Sequence, residues 1–190
     1  MQNTKNSILS QIRDEYGKLV YTYTCHNKEC GLISNRIKRL KFAKIFLSGV
    51  SSLGLISTIF SDNKVISIIG SVLSVALFII TMLLNEETMA DNLSSHKKTS
   101  DQLWLIRENY ISLLVEFNDL ELSEIVTRRD DLLIKTNEIY KAALQTSSKA
   151  YKQSQRALQK DKEQFFEDWE IDLMLPKALR KTNENRKELL

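Results

Sequence analysis

The chain has 190 residues, 27 Lys and Arg against 24 Asp and Glu, and a net charge of +3, a balance too slight to argue for a nucleic-acid partner. Five Gly and one Pro leave few of the breakers that punctuate β or loop-rich folds, so an all-α protein is expected.

The first segment, residues 1–41, reads as an amphipathic helix. From Ile8 the apolar positions are Ile12, Tyr16, Leu19, Tyr23, His26, Cys30, Ile33, Ile37 and Leu40, and from Leu19 onward they advance by alternating steps of four and three. That is the 3.5-residue period of a coiled-coil seam, weakened in propensity by Gly17 and Gly31. The helix is expected to run almost straight into the next segment.

Residues 42–84 form that segment. Two uncharged apolar stretches, Ile45 to Phe60 and Val65 to Leu84, are joined only by Ser61-Asp62-Asn63-Lys64. About 20 apolar residues in a helix cross a hydrocarbon core of roughly 30 Å, whereas a core helix of a soluble protein is shorter and polar on one side. The expectation is a transmembrane hairpin with spans at about 42–60 and 65–84. The first stretch begins too far into the chain for a secretory signal peptide, and no small-residue cleavage site follows it. Lys28, Arg36, Lys38, Arg39, Lys41 and Lys44 precede the first span, while the link offers only Lys64. Basic residues near a span stay in the cytoplasm, which predicts a multi-pass protein with both termini cytoplasmic.

The spans are not uniform. At 100° per residue, Ser67, Gly70, Ser71, Ser74 and Thr81 fall within one sector of about 100° on the second span. Ser48, Ser51, Ser52 and Thr58 form a similar stripe on the first, with Gly49, Gly54 and Ser57 outside it. Two explanations compete. Small residues let helices approach in lipid, and hydroxyls bond across the contact. Alternatively, subunits assemble and the stripes line water. Neither span carries the charged residue that marks an ion or proton relay, and one hairpin cannot enclose a pore.

Residues 85–176 read as a second helical region. Asn85-Glu86-Glu87 marks the water interface. Leu103, Ile106, Tyr110, Leu113, Phe117 and Leu120 then follow at steps of 3, 4, 3, 4 and 3, on a helix expected to be continuous with the second span. This seam either joins partner chains or pairs within the chain, Ile8–Leu40 lying antiparallel to Leu103–Leu120. A boundary is expected near Thr127-Arg128-Arg129-Asp130, followed by a helix with Leu132, Leu133, Ile139, Tyr140, Ala143 and Leu144 on its apolar side. Gln145 to Lys162 is polar and reads as a solvated helix or a connector. Phe165, Phe166, Trp169, Leu173 and Leu175 make a last apolar cluster, ended by Pro176. Residues 177–190 are a basic tail.

Little here supports chemistry. There is no phosphate-binding loop, His-Glu-x-x-His, nucleophile elbow or Cys-x-x-Cys. Cys25 and Cys30 do not make a disulfide framework. His26 and Cys30 stand at metal-binding spacing but in register with the apolar seam, and with only His96 as a further imidazole a zinc site lacks ligands. No enzyme, cofactor or metal is expected.

The order of basic helix, short-linked hairpin and the segment Leu103-Trp104-Leu105-Ile106-Arg107-Glu108-Asn109-Tyr110 with Leu113-Leu114 resembles the SLATT family. The pattern Ile171-Asp172-Leu173-Met174-Leu175-Pro176 is similar to the ending of some members. The resemblance covers about Leu32 to Arg180. It implies a two-transmembrane effector of bacterial antiviral conflict systems in the cytoplasmic membrane, working beside a nucleotide-generating or nucleotide-sensing protein. Such an effector would homo-oligomerise on a signal, permeabilise the bilayer and halt growth by abortive infection. The alternative is a membrane-anchored scaffold whose seam recruits a cytosolic partner.

Overall fold

The structure, a computed structural model, describes residues 2–60, 64–83 and 86–180; for 2, 53–60, 66, 67 and 86 it describes the backbone alone. The described residues are helical with no strand: α1 (Gln2–Phe60), α2 (Lys64–Leu83), α3 (Glu86–Glu116), α4 (Leu122–Ala142), α5 (Ser148–Gln159) and α6 (Asp168–Met174). The chain divides into two compact units, Met1–Ser154 and Gln155–Leu190.

In the first unit α1 is one helix of 59 residues, without proline, running from the seam region through 42–60. α2 packs against α1, so the described residues of the expected hairpin form a pair of packed helices, while the link 61–63 lies outside the described residues. Most of α2 lies in the one stretch among the described residues long and apolar enough to cross a membrane, and the most apolar 18-residue window of that stretch holds no buried residue. Phe42, Ile45 and Phe46 of α1 are also exposed. The side chains of 53–60, on which the first expected span depends, lie outside the described residues. So do 84 and 85, where continuity of α2 with α3 was expected.

α3 packs antiparallel along α1, as His26 with His96, Asn27 with Ser100 and Cys30 with Leu93 establish. The two seams meet in this contact. Ile8, Ile12 and Leu19 of α1 are buried with Leu103, Ile106, Tyr110, Leu113 and Phe117, and Leu120 packs against the cluster half-buried. Ile125 and Leu132 of α4 complete it. Burial of such aliphatic side chains is worth about 1.5–3 kcal/mol each relative to exposure, which makes this cluster the main stabiliser of the bundle.

The chain reverses at 117–121, not at Thr127–Asp130, which lies inside α4. Lys5 from the start of α1 holds this turn. Its ammonium donates to Leu120 O (3.1 Å) and Asn118 O (3.4 Å) and stands 5.5 Å from the Phe117 ring centroid. A cation at a helix C-terminus also meets the negative end of the helix dipole. Arg128 donates to Glu116 and to Glu124, each at 2.6 Å, and so links the two arms of the turn. α4 then runs parallel to α1: Arg129 bonds Gln11, Tyr140 bonds Thr22 and Ser147 bonds Glu29, each pair 118 residues apart.

The polar stretch expected as a solvated helix or connector has an inner face. α5 buries Ala150 and Ser154 in the first unit, and Ala157 further along is buried as well. Ser147 caps the helix, its hydroxyl accepting from Ala150 N (3.2 Å), an N-cap to N3 bond. Both the N–H and the hydroxyl of Ser147 donate to Glu29 of α1, at 2.8 and 2.6 Å. Tyr151 stacks tilted on Tyr21, ring centroids 5.1 Å apart.

In the second unit a reciprocal box caps α6, in which Glu167 N donates to Glu170 Oε2 at 2.8 Å. Pro176 follows the helix and a short 3₁₀ turn closes the described chain. The expected apolar cluster is not a buried one: Phe165, Phe166, Trp169, Leu173 and Met174 are exposed, and Leu175 is half-buried.

Candidate functional site

The two stripes have different fates. On α2 the half-buried positions Gly70, Leu73, Leu77 and Ile80 advance by 3, 4 and 3 and form the face turned to α1. Ser71, Ser74 and Thr81 are exposed, on a sector centred about 100° round the helix from that face. Gly70 therefore borders both faces, and a Cβ added there would meet nothing within 4 Å. Its smallness is not used for close approach inside this chain. Ser67 belongs to the same stripe, with a side chain outside the described residues.

On α1 the stripe is divided. Ser51 is buried, with no hydrogen-bond partner for its hydroxyl among the described residues, and Ser48 is half-buried. Ser52 is exposed, and Thr58 lies among the residues whose side chains are not described.

Three of the hydroxyls on these faces bond within their own helices. Ser52 donates to Ser48 O, Ser74 to Gly70 O and Thr81 to Leu77 O, each at 2.9 Å. Back-bonding to the carbonyl four residues earlier is a local bond, not a bridge to another helix. It leaves the oxygen lone pairs facing outward as acceptors.

The seam of Leu103, Ile106, Tyr110, Leu113, Phe117 and Leu120 is spent inside the chain. Of the two uses open to it in the sequence, the structure shows the antiparallel pairing with the Ile8–Leu40 helix.

Between the seam and the hairpin lies a polar layer. Thr24 and His26 of α1 and His96, Thr99 and Ser100 of α3 are all buried. His26 Nδ1 and His96 Nδ1 are 2.9 Å apart, and Ser100 donates to Asn27 Oδ1 at 2.8 Å. Both rings must be neutral or share a single extra proton for one Nδ1 to donate and the other to accept. Burial, then the neighbouring ring, pushes His26 down to about 4, with Glu29 pulling the other way. Burial also lowers His96, again against Glu29. Cys25 is buried beside Ser154 and its thiol is pushed up by burial, as is that of Cys30. Among the described residues no three His, Cys, Asp or Glu side chains gather as metal ligands.

His26 read as a seam residue, which it is, but its partner on α3 was not legible in either segment alone. The pairing follows once α1 and α3 are set antiparallel.

The described residues are helical throughout their regular structure, and one of their helices is apolar and long enough to cross a membrane. The model of SMODS and SLOG-associating 2TM effector domain family 4 matches residues 8–170. The chain belongs to this SLATT family, and membership implies membrane association and an effector role in conflict systems. No curated protein and no solved structure shows significant similarity to it.

Proposed function

We propose that this chain is a membrane-resident effector that oligomerises when triggered and opens or disrupts the bacterial cytoplasmic membrane, without catalysing a reaction. One observation carries this reading: Ser71, Ser74 and Thr81 stay exposed on an apolar helix although that helix already packs against α1. A polar stripe facing lipid has no use in a lone hairpin, whereas in an assembly it meets other copies or water. In this reading both termini are cytoplasmic, 42–60 and 65–84 span the bilayer, and the trigger comes from a nucleotide-generating or sensor protein of the same system. The regions 1–41 and 85–176 form the cytosolic part, with 177–190 as its tail.

The triple substitution Ser67→Leu, Ser71→Leu and Ser74→Leu tests it. Growth arrest and dye entry on triggering are expected to disappear while membrane insertion is retained. Arrest at full strength would show that the stripe is not the functional surface.

A membrane-anchored scaffold is the competing reading, and it relied on a free seam. That seam is buried between α1 and α3 in this chain. Replacing residues 42–84 with an unrelated two-span anchor is expected to abolish activity; full activity would favour the scaffold.

A further inference from the structure

The histidine pair occupies a singular place along the α1–α3 contact. On the seam side, Ile12, Leu19, Leu103, Ile106, Tyr110 and Leu113 are all buried. On the hairpin side, Ile33, Ile37 and Leu40 of α1 and Met89 and Leu93 of α3 are only half-buried. His26 with His96 is thus the last fully buried contact between the two legs before the hairpin.

We propose that the His26–His96 pair is a proton-operated latch that holds the hairpin's two legs together and releases them when both rings take up protons. The chemistry is that of a hydrogen bond with one proton between two nitrogens. A first extra proton, at an outer ring nitrogen, leaves the Nδ1–H···Nδ1 bond intact. A second places two N–H donors and two positive charges face to face at 2.9 Å, where no acceptor remains. The pair then has to part.

Solvent reaches the latch through an open groove of about 400 Å³, lined by Thr22, His26, Tyr140, Leu144, Gln145 and Thr146 among others. Ionisable groups neighbour the pair on several elements, Tyr23 and Lys28 of α1 among them. On α1 they also include Glu29, whose carboxylate accepts from Ser147, and the thiols of Cys25 and Cys30. On α3 they are Lys97 and Asp101, bonded to each other at 2.6 Å, and on α4 Tyr140. The segment 143–147 brings none, and α5 carries Lys149, Tyr151, against Tyr21, and Lys152. Glu29 favours protonation, and burial opposes it. In the parted state both rings are hydrated and return toward the ordinary value near 6.5. Each pH unit below that then shifts the balance toward the parted state by about tenfold for each proton gained.

That parted legs free the hairpin to assemble rests on the function proposed above; the latch itself does not. The test uses the full chain in liposomes, with Cys25→Ala and Cys30→Ala removing the native thiols and nitroxide labels on Gly31→Cys and Ser94→Cys. Both label sites are exposed, and a side chain at Gly31 meets nothing within 4 Å. Distances between the labels and release of trapped dye are followed together from pH 7.5 to 5.0.

The expected result is a distance distribution that lengthens by several Å below about pH 6 and does not move when His26→Asn and His96→Asn are added. Asn keeps a donor and an acceptor at the Nδ1 position without titrating. Lengthening without dye release would support the latch and count against pore formation. A distance that stays constant to pH 5.0 in the native-histidine protein overturns the latch, whether or not dye escapes. Lengthening that persists in the Asn variant overturns it too.

Discussion

Leu103→Ala is expected to cost about 2–5 kcal/mol, the usual range for truncating a fully buried leucine. Leu103 is 0% exposed, in the cluster to which α1, α3 and α4 all contribute. Typical domains hold only about 5–15 kcal/mol in reserve, so this one substitution should bring the bundle near its unfolding threshold. Leu105, two residues on, is 58% exposed. Its replacement by Ala is expected to change stability by less than about 0.5 kcal/mol. Urea unfolding in detergent, read by the fluorescence of the adjacent Trp104, compares the two. Equal losses would mean that α3 does not present its seam to α1 as described.

While the histidine pair stays closed, the bundle is also expected to lose up to about 2 kcal/mol of stability between pH 7.5 and pH 5 through His26, with His96 adding in the same direction. Parting of the pair caps the loss. The sign follows from proton counts. His26 titrates near 4 in the folded chain and near 6.5 when unfolded, so the unfolded state binds more protons between those values. Stability is therefore complete above about pH 6.5, falls as pH drops toward 4, and levels below it. Thermal unfolding at pH 7.5, 6 and 5 measures this loss. The double variant His26→Asn, His96→Asn should show little of it. A pH-independent melting temperature in the native-histidine protein would contradict the buried, neutral pair.

Much of the fold can be read from residue spacing, and the exceptions have physical causes. The alternating steps of three and four mark the inward lines of α1 and α3 because burial along a helix follows its period. The reversal at 117–121 was not legible, since Phe117 and Leu120 continue the seam pattern and neither Gly nor Pro interrupts it. The turn is held by Lys5, more than a hundred residues away, which local reading cannot bring to it. α5 was obscured by its composition. Its buried residues in the first unit are Ala150 and Ser154, small residues that carry no hydrophobic signal beside Lys, Gln and Arg. The site is divided in the same way. That the serines and threonines of the second stretch share a face is a property of one helix and visible in its sequence. That Ser48 and Ser51 of the α1 stripe face inward while Ser71, Ser74 and Thr81 of the α2 stripe face outward depends on how the two helices rotate against each other, which only the packed pair fixes.

The continuity of α1 has a mechanical consequence. At 59 residues it is a rod of about 88 Å, with no proline along its length to act as a hinge. A tilt of about 5° at its bundle end carries the far tip through roughly 8 Å, close to the spacing of packed helices. Rearrangement around Ile12 and Leu19 is thus delivered to the far end enlarged, much as a short arm drives a long one, and nothing along the way has to bend.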